Sequence, residues 1–189
     1  MLLIRPILLI FSIAFSGAAQ ASDWQYAGFS KIGSDETYLF YDAEGIQRPS
    51  HNLARYWLKA MTRVNLDRYF AKHEKLLVEK TARKIGAGYV PKFYQLNAIR
   101  SQYGNADVFR DAAIEITSYE VVANERDALV KHKLYFELNC ADRSSRILEI
   151  LSYDLNGLLK RAGAAQANYQ FIPPDSNGEF QSQLICTKE

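Results

Sequence analysis

The chain has 189 residues, of which 48% are hydrophobic and 23% charged, and a formal net charge of +2. Those proportions exclude a disordered or collagen-like chain. A charge this close to balance gives no support to a nucleic-acid partner. Three His and two Cys leave little material for a metal centre, so no metal and no cofactor are expected.

Residues 1–21 read as a secretory signal. Arg5 is their only charge, residues 7–15 form an apolar run interrupted by Ser12, and Ala19-Gln20-Ala21 sets small residues before a cut at Ser22. The run falls short of the roughly 20 apolar residues that a membrane span needs. Cleavage after Ala21 is therefore expected, with no transmembrane span left in the mature chain. No Cys follows the cut, so a lipoprotein anchor is not indicated. Residues 22–189 are then a single exported domain, large enough to bury a core. It is placed in the periplasm, at the cell surface or outside the cell.

Residues 23–62 read as strands. Trp24, Tyr26 and Phe29 open them, residues 37–41 (TYLFY) are dense in β-formers, and residues 42–45 are turn material. Residues 53–61 alternate imperfectly, with Arg55 and Lys59 among Leu53, Trp57 and Met61.

Residues 63–128 read as helical. Asn65 is a candidate cap, and Leu66, Tyr69, Phe70, Leu77 and Ile85 share a stripe that Gly86 and Gly88 close. A second helix is expected from near Asn105, with Phe109, Ala112, Ala113, Ile116, Tyr119 and Ala123 recurring at helical steps and Asn124 ending it.

Residues 129–189 return to strands at 130–140, 147–155, 158–161 and 169–172. Asn156-Gly157 suggests a two-residue type I′ hairpin turn. Pro173-Pro174 halts the last strand, and Ser176 and Glu179 have capping-box spacing. That spacing predicts a short helix to Cys186, with a final strand as the alternative. The whole reads as α+β, an antiparallel meander with helices to one side.

Cys140 and Cys186 are the only cysteines. In an oxidising compartment a lone pair most simply forms one disulfide; a reactive or metal-binding pair is the alternative, without CxxC spacing to support it. No serine elbow, phosphate loop or calcium loop is present, and His73-Glu74 lacks the second histidine of a zinc-protease helix. The carboxylates Glu115, Glu120, Asp142 and Glu149 read as ordinary surface acids. An enzyme is not expected.

Charge is polarised along the helical stretch. Residues 55–100 carry eleven Lys or Arg against three acids, and residues 101–129 carry six acids against two Arg. Two antiparallel helices of opposite sign would neutralise one another. Alternatively, Lys72, Lys75, Lys80, Arg83 and Lys84 form a candidate binding face for an anionic polysaccharide or envelope component.

Several pieces carry a family resemblance. They are Trp24 and Tyr26, Tyr38-Leu39-Phe40-Tyr41-Asp42, Arg55-Tyr56-Trp57-Leu58-Lys59, Glu137-Leu138-Asn139-Cys140, Arg146-Ile147-Leu148 with Tyr153-Asp154, Ile172-Pro173-Pro174-Asp175-Ser176, and Leu184-Ile185-Cys186. In this order, after a signal segment and with two cysteines, the chain resembles the surface-adhesin protein E family of Gram-negative bacteria. The resemblance implies a small antiparallel sheet of about six strands, with a C-terminal helix held to one face by the cysteine bridge. It also implies an exported non-enzymatic protein whose relatives bind host matrix and plasma proteins. Residues 63–128 stand in this chain as a helical insertion between strands.

Overall fold

The computed structural model describes residues 22–32, 35–95, 106–154, 156–163, 166–174 and 176–186. The signal segment, Asn105 and Leu155 lie outside the described residues. Among the described residues eight strands form one sheet: β1 (Trp24–Ile32), β2 (Asp35–Asp42), β3 (Gln47–Ser50), β4 (Leu53–Thr62), β5 (His132–Asn139), β6 (Ser144–Tyr153), β7 (Leu159–Gly163) and β8 (Gln170–Phe171). Their order is β1-β2-β4-β5-β6-β7, all antiparallel, with β3 added on β4 and β8 on β6. The helices are α1 (Arg63–Gly86), α2 (Lys92–Gln95), α3 (Ala106–Glu125) and α4 (Asn177–Cys186), with a short 3-10 turn at Asp127–Leu129. The α+β class is as expected; β3 and α2 are the elements the pattern did not suggest, each only four residues long.

The helical stretch leaves from β4 and returns into β5, which pairs with β4 along its length from Leu53↔Asn139 to Ala60↔His132. It is an excursion between two neighbouring strands, and this decides what it can cover. Alternation sends Tyr38, Phe40, Trp57 and Met61 to the face beneath α1 and α3, where Leu66, Leu77, Ile116 and Val122 complete a core. Tyr41, Tyr56, Leu58 and Leu138 go to the opposite face, beneath Leu184 and Ile185 of α4. Strand β4 is thus buried on both faces in its second half, which is why its alternation reads imperfectly. Lys59, polar by sequence, is 2% exposed there. Its ammonium donates to the Ala123 carbonyl (2.8 Å), pairs with Asp127 (2.6 Å) and lies 4.0 Å above the Trp24 ring.

Three local expectations are corrected. The residue capping α1 is Thr62, whose hydroxyl accepts from the Asn65 backbone N–H (3.4 Å), so Asn65 is the capped residue rather than the cap. Asn124 does not end α3, which continues to Glu125; its side chain instead accepts from Trp24 N–H and donates to Trp24 O, stitching the helix to β1. The β6–β7 connection closes with Asp154 N–H donating to Leu158 O and Gly157 N–H donating to Asp154 O, with Gly157 at φ 76°. That is a three-residue loop with glycine in the left-handed region, not a two-residue turn. The Asp154 carboxylate accepts the Asn156 and Leu158 amides and holds the longer loop.

The C-terminal helix forms as the capping box suggested. Glu179 N–H donates to Ser176 Oγ (3.2 Å), and the Glu179 carboxylate lies 3.5 Å from Arg143. Asn177 donates to Phe29 O beside the β1 bulge, where Gly28 has φ +127° and a Cβ would meet Asn177 Oδ1 at 2.9 Å. The Cys140–Cys186 disulfide then ties the end of α4 to the end of β5, across a sequence separation of 46. Closing a loop of that length stabilises by about 4 kcal/mol in the chain-entropy picture. Replacing Cys186 with Ser in residues 22–189 purified under oxidising conditions is expected to lower the urea unfolding free energy by about that amount; an unchanged midpoint would contradict a structural bridge.

Candidate functional site

The five cations expected to form a binding face all lie on α1, but three are engaged within the protein. Lys80 pairs with Glu125 of α3, Arg83 with Glu79 one turn away (2.5 Å), and the Lys84 ammonium sits 4.3 Å above the Tyr89 ring. Lys72 and Lys75 are exposed and carry no ion pair among the described residues. At the start of α1, Arg63 reaches Glu36 (2.9 Å) and Glu115 (3.6 Å). The opposed charges of the helical stretch are therefore largely answered inside it. The helices are not simply antiparallel: Arg63 and Asp67 meet Glu115 and Tyr119 in the same direction, and α1 then kinks at His73.

Between α1 and α3 runs an apolar groove of about 1000 Å³, walled by Phe70, Val78, Ile85, Ile114 and Tyr119. Thr81 Oγ1 in its wall is a buried polar atom without a hydrogen-bond partner among the described residues.

A different arrangement occupies the other half of the same sheet face. The long helices α1 and α3 pack on β1, β2 and β4, leaving the face over the first half of β4 and over β5 and β6 uncovered by them. At its centre is Glu137, whose carboxylate is 1% exposed. Arg55, directly opposite on β4, donates through Nε to Oε2 (2.6 Å). Arg146, its partner on β6, donates through Nε (2.9 Å) and Nη2 (2.6 Å) to Oε1, and Tyr169 donates its hydroxyl to the same oxygen (2.5 Å). Burial works to raise the carboxyl pKa, but the bonds from Tyr169, Arg55 and Arg146 outweigh it and hold the group at about 2. Glu137 is thus ionised at any physiological pH and fixes both guanidinium groups. Arg146 also lies 4.8 Å over the Tyr169 ring.

The arginines remain 37% and 29% exposed. Both Nη atoms of Arg55 and Nη1 of Arg146 have no partner among the described residues. Two residues along the strands, at the next pair on the same face, Trp57 and Tyr135 stack with centroids 4.8 Å apart, and the Tyr135 hydroxyl donates to Gln47 (3.1 Å). The result is a positively biased patch of Arg, Trp and Tyr, built on rigid strands and locked by a buried carboxylate.

Arg55, Trp57, Glu137 and Arg146 stand in the sequence only as parts of the family resemblance, not as a site. Arg55 and Glu137 are charges within strand-forming runs, and their pairing needs the β4–β5 register. Glu120, read as a surface acid, is a further correction: it is fully buried under α3, accepting from the Tyr26 N–H (2.8 Å) and the Tyr89 hydroxyl (2.7 Å). The three histidines stay apart: His51 is exposed, His73 lies against Tyr69 and His132 meets Ser152. No group of three or more potential metal ligands occurs among the described residues. No helix among them is long and apolar enough to cross a membrane.

No protein-family model, curated protein or solved structure matches this chain.

Burial raises the Glu120 pKa to about 7, against the pull of its two hydrogen bonds and of Lys84. The folded protein therefore holds this proton more tightly than the unfolded chain. The associated stability is complete below pH 4.5 and is lost as pH rises through 7, on the order of 3 kcal/mol. Glu120→Gln is expected to flatten that limb in urea melts taken between pH 5 and 8; an identical slope would contradict the assignment. Reversing Lys72 and Lys75 to Glu is expected to change heparin retention by less than about twofold, since exposed charges are screened over about 8 Å at physiological ionic strength. A complete loss of retention would restore α1 as a binding face.

Proposed function

We propose that this is an exported, non-enzymatic binding protein of the surface-adhesin E type, and that its contact surface is the uncovered half of the sheet face. The observation that carries this reading is the co-location of Arg55, Arg146, Trp57 and Tyr135 around buried Glu137, with guanidinium donors that have no acceptor among the described residues. Arg, Trp and Tyr are the residue types that dominate binding energy at protein interfaces. Fixing their side chains in advance lowers the ordering cost of association. Export is supported by the signal-like residues 1–21 and by the bonded cysteine pair. The two carboxylates with displaced protonation, Glu120 and Glu137, serve networks of their own in different parts of the fold, which suits a structural role for each. The alternative, an accessory protein that grips an anionic envelope component through α1, is less well supported because Lys80, Arg83 and Lys84 are engaged internally.

The test is retention of matrix, plasma and envelope proteins on the immobilised mature protein, compared, at a temperature where both are fully folded, with an Arg55→Lys/Tyr135→Ser variant that keeps a cation beside Glu137. A partner retained by the native protein and lost by at least about tenfold in the variant, equivalent to about 1.4 kcal/mol, is the expected result. Equal retention would contradict the reading. Protease shaving of intact cells separates surface display from a periplasmic location.

A further inference from the structure

We infer that Arg55 and Arg146 together form a receptor for the carboxylate of an acidic peptide segment in a partner protein. This rests on the proposed contact surface and specifies its chemistry. Glu137 lies between the two guanidinium groups and takes Nε of Arg55 and Nε and Nη2 of Arg146. Each arginine is thereby oriented by its inner edge, with Nη donors left over at its outer edge. Two cations against one carboxylate leave the cluster with an excess positive charge, and it is ionised on both sides because Glu137 titrates only near 2. A planar guanidinium edge matches a carboxylate through paired N–H donors. Here that edge is held before the ligand arrives, which a flexible lysine would not provide.

The neighbouring residues favour a peptide over an acidic saccharide. A sugar stacks on an open aromatic face, but Trp57 and Tyr135 cover one another at 4.8 Å with ring planes only 23° apart. Trp57 also packs against the core beneath the helices. The rings therefore form an apolar ridge beside the arginines, suited to a side chain flanking the acidic residue. Glu149 lies across from Tyr135 on β6. It disfavours a second acid there and confines the partner's negative charge to the arginine end.

The experiment uses the disulfide-bonded mature protein and titration calorimetry with three probes: a short peptide of two glutamates followed by leucine, the same peptide with glutamines, and a heparin hexasaccharide. The glutamate peptide is expected to bind, to weaken as salt rises, and to exceed the glutamine peptide by at least about tenfold, or 1.4 kcal/mol. Arg55→Lys and Arg146→Lys keep the charge beside Glu137 but remove the planar fork; each is expected to lose binding severalfold at a temperature where the variant is fully folded. Equal affinity for both peptides, unchanged affinity in both lysine variants, or preference for the hexasaccharide would overturn the inference. If the peptide fails while partner retention still depends on Arg55 and Tyr135, the contact surface stands and only its carboxylate specificity falls.

Discussion

A carboxylate taken out of water must be given back its hydrogen bonds, or it loses its charge or unfolds its surroundings. Glu137 meets that constraint with donors from three other parts of the chain: Arg55 on β4, Arg146 on β6 and Tyr169 just before β8. Because each donor comes from a different strand or connection, satisfying one carboxylate fixes the relative positions of all of them. Removing any single donor leaves a buried charge less well compensated, which costs more than the removed bond contributes. The outward halves of the two guanidinium groups are the by-product, fixed in place with no acceptor of their own among the described residues.

The way the sheet is covered explains why this cluster is open to a partner. Helices α1 and α3 shield β1, β2 and the second half of β4, where Phe40 and Met61 join the apolar core and buried Lys59 is compensated by Ala123 O and Asp127. The short helix α4 shields the opposite face and is held there by the disulfide, the contact of Asn177 with Phe29 and the Arg48 bond to Ile185 O (2.6 Å). Neither helical layer reaches over Tyr135 and Glu137. An uncovered sheet face normally carries polar residues; here it carries arginine and aromatic side chains that are well suited to a second protein.

The local grammar of the chain was readable because it depends on near neighbours. Density of aromatic and β-forming residues marked β1 and β2, alternation marked β5 and, imperfectly, β4, helical spacing marked α1 and α3, and Ser176 with Glu179 marked α4. The lone cysteine pair, taken with the signal-like residues 1–21, implied the bridge. What could not be read depends on register. Arg55 meets Glu137 across 82 positions, and Tyr169 reaches it across 32; no window of sequence contains them. The same reason hid Glu120 and Lys59, whose burial is decided by which helix lands on which strand. The helical segment drew attention to Lys72, Lys75, Lys80, Arg83 and Lys84 because a run of like charge is visible, while the acid that answers Lys80, Glu125, is 45 positions away. The Asn156-Gly157 turn failed for a smaller cause: Asp154 offers its carboxylate to two amides and stabilises a longer loop.

The account stands on the uncovered sheet face being the surface that a partner covers. Hydrogen–deuterium exchange of the mature protein, alone and with its retained partner, measures this most directly. The account predicts added protection in residues 55–57, 135–137 and 146–149, with α1 and α3 unchanged. Protection confined to the helical groove between α1 and α3, with the sheet face exchanging as it does in the free protein, would contradict it.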